Sequence, residues 1–424
     1  MNLLKTSILS FIATSIKILS GLVINKAIAV YIGPSGLALI GQFQNFSRIA
    51  MAVAQGAINT GVTKYTAEYG KDSERLNILF ITASKISLVS SATVGVGLFV
   101  FSSNASDYFL KTEDYKHVFL IFSFTIVLFV INNLLLSIIN GLKEIRTWIS
   151  VNIIQSIYSL IFTTLLIAIF GLNGALIALV TNQSVVLIVV LWMIRKHPLL
   201  KVKAFTTNFS STEAKKLAGF AITTLITLLS VPISLTIIIR LISEIEGLED
   251  AGYWQAIWYI SSMSLLIFMT VIRIYFLPKL SETQDRVELR SEIAKGITLF
   301  LFVAFFAFLA VYYLRNQLIV ILFSESFMSM ADLFFWQLAG DFLKLTGSFF
   351  GILLSAKAKN IRASITNVIF SLLFVTLVYV FIGDMGLQGV VFAHFLNNVI
   401  FLIFVIGISW DILYGKSCNN NTNV

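Results

Sequence analysis

The 424-residue chain has one cysteine, three histidines and few charged residues. Cys418 alone excludes an internal disulfide and a thiolate metal site. His117, His197 and His394 are scattered, so no metal-ligand cluster is predicted. Charged residues make up 12% of the chain, against about 25% in soluble globular proteins. Hydrophobic residues make up 58%, and solvation by lipid explains that content better than a soluble core.

Twelve apolar segments are long enough to cross a bilayer as helices, since a span needs roughly 20 mostly apolar residues. They are 8–32, 36–60, 76–101, 117–140, 149–170, 174–194, 217–242, 252–277, 294–314, 331–356, 362–383 and 387–410. The linkers between them are too short for a soluble domain. The chain is therefore predicted to be an all-α polytopic membrane protein.

Basic residues are distributed unequally between the two predicted sides. With the N-terminus in the cytoplasm, twenty Lys and Arg lie on the cytoplasmic side, and only Lys111, Lys116 and Arg315 lie outside. The outer loops carry acids such as Asp107 and Glu249. This positive-inside bias predicts that both termini are cytoplasmic, and it explains the net charge of +9 without nucleic-acid binding.

The two halves of the chain share short motifs at a constant offset. Residues 143–146 (KEIR) match residues 359–362 (KNIR), 216 residues later, as 359 minus 143 gives. Residues 171–174 (GLNG) match residues 386–389 (GLQG) at 215. Six helices per half predict a parallel repeat of two lobes around a central cavity. The predicted domains are a first lobe (1–200), a cytoplasmic linker (201–216) and a second lobe with a polar tail (217–424).

Beyond the first two residues of each predicted span, eight charged residues fall within the spans, and only one of them is acidic. They are Lys17, Lys26, Arg48, Lys85, Arg240, Arg273, Lys344 and Asp341. Charges in a membrane are costly and usually face a cavity or a partner. Snorkelling to the interface is the alternative for residues near a span end, such as Lys26 and Arg240.

Polar residues share a helical face with several of these charges, given 100° of rotation per residue. Lys17 is grouped with Ser10, Thr14, Gly21 and Asn25, and Arg48 is grouped with Gly41, Gln44, Asn45, Gln55 and Asn59. Arg273 shares a face with Gln255, Trp258 and Ser262, whereas Lys344 shares one with Gln337, Asp341, Ser348 and Ser355. Helix packing is the alternative for small and hydroxylated stripes, and a local ion pair is the alternative for Asp341 and Lys344. Pro232 is predicted to kink the seventh span and act as a hinge.

The basic and amide-rich faces predict a cavity for an anion that carries many hydroxyl groups. Its residues are Lys17, Arg48, Lys85, Arg273, Lys344, Asp341, Gln44, Asn45 and Gln337. Basic groups suit a diphosphate, and amides suit sugar hydroxyls. A lipid-linked oligosaccharide diphosphate meets both demands, although nucleotide sugars or other organic anions would fit the same lining. No catalytic residue, metal or cofactor is predicted, and coupling to H⁺ or Na⁺ is left open.

Four stretches carry a resemblance to a known family. They are residues 31–37 (YIGPSGL), 61–65 (GVTKY), 277–281 (LPKLS) and 336–344 (WQLAGDFLK). They resemble the Wzx flippases of O-antigen and enterobacterial common antigen assembly, in the multidrug/oligosaccharidyl-lipid/polysaccharide exporter superfamily. The resemblance implies alternating access in the bacterial inner membrane and undecaprenyl-diphosphate-linked oligosaccharide as substrate. It implies diphosphate-holding roles for Lys17, Arg48, Lys85, Arg273 and Lys344, and leaves open contacts with an O-antigen polymerase and a chain-length regulator.

Three other functions remain as alternatives. A cation-coupled multidrug exporter of the same superfamily would need intramembrane acids, and Asp341 is the only one predicted. A membrane enzyme would need a large loop with paired acids, whereas the acids of residues 281–292 alternate with Arg286 and Arg290. A scaffold for the assembly enzymes would leave the intramembrane charges unexplained.

Overall fold

The computed structural model describes residues 3–70, 72–195, 209–282, 286–356 and 360–414. Most of these residues lie in thirteen α-helices. They are α1 (Leu3–Tyr31), α2 (Gly33–Ala54), α3 (Asn59–Tyr69), α4 (Ser73–Val100), α5 (Ser102–Leu110), α6 (Lys116–Gly141), α7 (Ile145–Ile194), α8 (Ser211–Ile245), α9 (Leu248–Glu282), α10 (Arg286–Tyr313), α11 (Arg315–Leu322), α12 (Phe334–Ala356) and α13 (Asn360–Tyr414). Short 3₁₀ helices at Glu113–Tyr115 and Glu325–Leu333 precede α6 and α12.

Each of the twelve predicted spans lies mostly on helix. Among the described residues, eight helices are long and apolar enough to cross a membrane by length and composition. Two of them, α7 and α13, each contain one residue with non-helical torsion angles and therefore comprise two membrane-length segments. The shorter α2 and α12, of 22 and 23 residues, supply the remaining pair.

The second predicted span, 36–60, is not one continuous helix. It ends at Ala54 and resumes as α3 at Asn59, and the intervening turn places Gly56 at φ +60° and Ala57 at φ +50°. A non-glycine residue at positive φ is strained by its own Cβ. The polar face predicted for this span is therefore divided between α2 and the α2–α3 turn.

The internal repeat is visible in the helix order and in backbone torsions. Long helices α1, α2, α4, α6 and α7 recur as α8, α9, α10, α12 and α13, and even the short α5 recurs as α11. Within α7, Gly171 has φ 56° and ψ −131°, and within α13, Gly386 has φ 55° and ψ −140°. Glycine tolerates this conformation because it has no Cβ. The matching motifs thus mark the same bend in both halves.

Internal contacts divide the chain into two compact units. The first contains residues 1–239 with 322–324, and the second contains 240–321 with 325–424. The division falls inside α8, and the predicted lobe boundary at 217 stays a prediction.

Pro232 lies in the interior of α8, which is helical from Ser211 to Ile245. Its carbonyl accepts a 2.8 Å hydrogen bond from Thr236 Oγ1. Because proline has no N–H, the carbonyl of Leu228, four residues earlier, lacks its usual helical donor. Its role as a hinge remains a prediction.

Candidate functional site

In the first unit, Lys17 on α1 and Arg48 on α2 have exposed side chains. Neither has an acidic partner within the described part of the chain. The nearest polar contact of Arg48 is a long hydrogen bond of 3.4 Å from Nη1 to Asn45 Oδ1. Asn45 itself is buried, and Gln44 is half-buried beside it. The Arg48 guanidinium lies several turns inside an apolar helix, and its hydrogen-bond partner is a neutral amide. It is therefore available to an anionic ligand.

Lys26 has a structural partner. Its Nζ donates to the backbone carbonyl of Phe323, which belongs to the same compact unit. This contact ties α1 to the segment after α11.

Lys85 lies on a different kind of surface from Arg48. On α4 it shares a face with Leu88, Val89 and Val96, whose side chains are 45%, 68% and 64% exposed. Large exposed aliphatic side chains on a membrane helix are typical of contact with lipid. The cavity role of Lys85 stays a prediction, and among the basic residues of this unit its surroundings support it least.

The second unit contains a buried polar network centred on Asp341 of α12. Its Oδ1 accepts hydrogen bonds from Ser261 Oγ of α9 at 2.8 Å and contacts His394 Nε2 of α13 at 3.0 Å. Gln337, one turn before Asp341, donates to Ser261 Oγ at 3.1 Å. Asn398 donates to the His394 carbonyl at 2.8 Å. The carboxylate is fully buried, and its Oδ2 has no hydrogen-bond partner among the described residues.

Lys344 does not form the local ion pair with Asp341 that was the alternative to a cavity role. Its Nζ lies 5.7 Å from the centroid of the Trp258 ring, a cation–π contact. The Trp258 ring in turn meets His394 edge to face at 5.5 Å and stacks on Phe374 at 5.9 Å. Asp341 and Lys344 are thus linked through contacts with the His394 imidazole and the Trp258 indole. Their predicted roles in a cavity stay predictions.

A glycine permits the close packing of α12 on α13 at this network. A Cβ on Gly340 would lie 2.6 Å from His394 Cδ2 and 3.1 Å from the Phe395 Cα. The first distance is shorter than real Cβ contacts and the second is tighter than most, so a side chain at Gly340 must displace the His394 ring or shift α13. The residue before Asp341 therefore sets the distance between the carboxylate and the imidazole.

Gly340→Ala is expected to impair function at least about tenfold, because separating His394 from Asp341 costs one hydrogen bond to a charged group, about 1.5–3 kcal/mol. Gly351→Ala, on the same helix, is the matched control, because a Cβ there has nothing within 4 Å. The measurements are restoration of function in a strain that lacks the gene and the thermal stability of the detergent-purified protein. Equal function of the two variants would contradict a requirement for this contact.

Sequence reasoning missed Ser261, His394 and Asn398. The three histidines were set aside because they are scattered in sequence, and within the described residues no group of metal-ligand side chains forms. The available signal was the spacing of His394 and Asn398, four residues apart in an apolar span, which places both on one helical face. The side chain of Arg273, on α9, lies outside the described part of the structure.

Comparison with known proteins identifies the family of the chain. Residues 3–284 match the family described as "Polysaccharide biosynthesis protein". The chain belongs to this family. The lipid III flippase of Escherichia coli (strain K12) is 27% identical over 358 residues, which cover 84% of this chain and 86% of the relative. The resemblance to Wzx-type flippases noted in the sequence is thereby confirmed.

Solved structures confirm the fold class. The lipid II flippase MurJ in an inward closed conformation matches with a TM-score of 0.76 at 15% identity, covering 96% of this chain and 87% of MurJ. An inward-facing transporter of the MATE family matches at 0.75 and 16% identity, covering 95% and 96%. The chain therefore has the twelve-helix, two-lobe fold of these transporters, and it is a multi-pass protein of the bacterial inner membrane.

Proposed function

We propose that this protein is a flippase that moves undecaprenyl-diphosphate-linked O-antigen units from the cytoplasmic to the periplasmic leaflet. The observation that carries the proposal is the similarity to a lipid III flippase across 84% of the chain. Named relatives are transporters, so the polar residues described above are interpreted as binding residues and no catalytic role is assigned to them. The solved structures support the fold alone at 15–16% identity.

The electrostatics of the first unit suit a diphosphate headgroup. Lys17 and Arg48 are exposed and lack acidic partners in the described chain, so no internal carboxylate competes with a ligand. A guanidinium can bind two phosphate oxygens at once, with charge-assisted hydrogen bonds about twice as strong as neutral ones. In this mechanism Arg48 and Lys17 hold the diphosphate while the polyprenyl chain remains in the bilayer.

Outward movement of the headgroup follows the membrane potential. Carrying an anion from a negative interior to the periplasm is downhill by about 2.3 kcal/mol per charge for each 100 mV. The two lobes would alternate in access, and release requires that the basic residues bind the diphosphate reversibly. The charge bias of the loops favours a cytoplasmic position for both termini.

Deleting the gene is expected to remove O-antigen from the cell surface and to accumulate undecaprenyl-linked units on the cytoplasmic face. The measurements are surface polysaccharide by gel and lipid-linked intermediates by mass spectrometry, with the wild-type gene restored as the control. Normal surface polysaccharide in the deletion strain would refute the proposal. The growth of deletion and wild-type cells in the presence of toxic cations would then be compared, because a multidrug exporter is the alternative.

A further inference from the structure

The first unit contains a second polar feature that none of the predicted site residues lines. It is an open cavity of about 280 Å³ between the α2–α3 turn, α3, α6 and α7. Five amide side chains line it: Gln55, Asn59, Asn133, Asn140 and Asn152. Thr63, Ser137 and Leu136 complete the wall, and Trp148 supplies one aromatic surface. We infer that this cavity, the amide pocket, is a binding site for an uncharged pyranose of the transported headgroup.

The chemistry of the lining favours a sugar over other ligands. Amides and hydroxyls both donate and accept hydrogen bonds, which matches the hydroxyl groups of a pyranose. A tryptophan presents a flat apolar surface with a single polar N–H, suited to the C–H face of a sugar ring. Among the described residues, no charged side chain lines the pocket, so a uronic acid or a phosphate would find no counter-charge in this lining.

Hydrogen bonds within the pocket hold the amides in place. Asn59 Nδ2 donates to Gln55 Oε1 at 2.7 Å. Asn133 donates to Gln183 at 3.3 Å. Asn152 Nδ2 donates to the Trp148 carbonyl at 2.7 Å, which fixes the amide one turn from the indole. Such prior ordering reduces the entropy lost when a ligand binds.

The internal repeat shows that the pocket is not required by the fold. At the offset of 216, Asn133, Leu136 and Ser137 on α6 correspond to Phe349, Ile352 and Leu353 on α12. Those three side chains are buried in an apolar cluster with Ile272, Phe276 and Leu280. The same position is thus a filled hydrophobic core in the second half and an open polar cavity in the first.

Backbone strain occurs at the same place. The turn with Gly56 and Ala57 at positive φ separates Gln55 from Asn59, whereas α9, the corresponding helix, is continuous. Positive φ at a non-glycine residue costs about 1–3 kcal/mol and tends to persist where function requires it. Here the turn brings the side chains at the end of α2 and the start of α3 to one cavity wall.

The position of the pocket suits the proposed function, on which this inference rests. In the predicted topology, the α2–α3 turn and the end of α6 lie toward the cytoplasm, where lipid-linked units are assembled. Gln55 follows Arg48 by seven residues, about 10 Å along the chain direction of a helix. A headgroup with its diphosphate at Arg48 therefore has the pocket within reach of its sugars.

Saturation-transfer NMR tests the pocket with free sugars, since the method detects weak, millimolar binding. The probes are the methyl glycosides of glucose and N-acetylglucosamine, with glucuronic acid as the charged comparison, added to the full-length protein in nanodiscs. We expect saturation of the pyranose protons by wild type and about tenfold weaker binding to Trp148→Ala, a loss of about 1.4 kcal/mol. Equal saturation of glucuronic acid would overturn the assignment to uncharged sugars.

A filling variant provides the matched structural test. Ser137→Leu introduces the residue that the second half already carries at this position, Leu353, so the helix is expected to tolerate it. It should block sugar binding as Trp148→Ala does, whereas Gly351→Ala, in the other unit and with open space around the added Cβ, should leave it unchanged. Undiminished binding by both pocket variants would refute the site.

Thiol labelling of the folded protein gives an independent measurement. Asn140 is exposed at the pocket, and Cys418 is the only native cysteine. In a Cys418→Ser background, maleimide labelling of Asn140→Cys should slow when methyl glucoside is present, and an unchanged rate would count against the pocket.

The pocket and the flippase proposal can fail separately. A protein that supports export but binds no sugar would refute the pocket and leave the flippase proposal standing. If the protein binds sugar but deletion of its gene leaves surface polysaccharide normal, the pocket is supported and the flippase proposal is refuted.

Discussion

Asp341→Ala should abolish export and destabilise the second unit. The variant removes the acceptor of Ser261 Oγ and the partner of His394 Nε2, and it leaves both groups buried without that partner. Each unsatisfied buried group costs about 1–3 kcal/mol, and a network loses more than the sum of its pairs. Export measured by surface polysaccharide should fall to the level of the deletion strain, with a lowered melting temperature of the purified protein.

Asp341→Asn separates the charge from the hydrogen bonds. The amide oxygen can still accept from Ser261, and the volume is nearly unchanged, so the folded protein should remain stable. Export should nevertheless fall at least about tenfold, because a carboxylate with one unpartnered oxygen is costly inside a membrane and is typically retained for function. If a stable Asp341→Asn protein exported at the wild-type rate, we would conclude that the network has only a structural role.

The fold could be predicted from the sequence because a bilayer imposes simple demands. Each span must be long and apolar, so the twelve segments could be counted directly, and each of them lies mostly on helix. The GLNG and GLQG motifs predicted a repeat, and Gly171 and Gly386 adopt nearly the same torsion angles. The break at Gly56 and Ala57 could not be predicted, because residues 36–60 have the composition of a single span.

The candidate site was predicted in part. Helical phase grouped Gln337, Asp341 and Lys344 correctly because all three lie on one helix. It could not supply Ser261 or His394, which come from α9 and α13, since phase gives no information on which helices meet. The ion pair considered for Asp341 and Lys344 also follows from spacing alone. In the folded chain Lys344 contacts the Trp258 ring instead.

The two halves carry their buried polar features at different, non-equivalent positions. At the offset of 216, Gln337, Asp341 and Lys344 correspond to Ile121, Thr125 and Leu128, so the buried network is confined to the second half. The amide pocket is confined to the first half in the same way. Since both halves fold alike, neither polar feature is needed to form a lobe. Each therefore marks a specialised task.

Replacing Arg48 tests the diphosphate role in the first half and is expected to have the second large effect. Arg48→Ala removes a guanidinium that can form two charge-assisted hydrogen bonds, each worth about 1.5–3 kcal/mol. We expect export to fall at least about tenfold at matched expression. Arg48→Lys should give an intermediate result, because a lysine keeps the charge but cannot bind two phosphate oxygens in the same planar geometry.

Two further arginine and lysine substitutions make this test specific. Arg75→Ala removes the same kind of charge from an exposed pair with Asp72, 3.3 Å apart and before the third span, and should leave export unchanged. Lys85→Ala should have a smaller effect than Arg48→Ala, because Lys85 lies among exposed aliphatic side chains on α4. Equal losses at Arg48, Lys85 and Arg75 would indicate a general effect of net charge on expression or topology. A loss confined to Arg48 would place that guanidinium on the path of the anion.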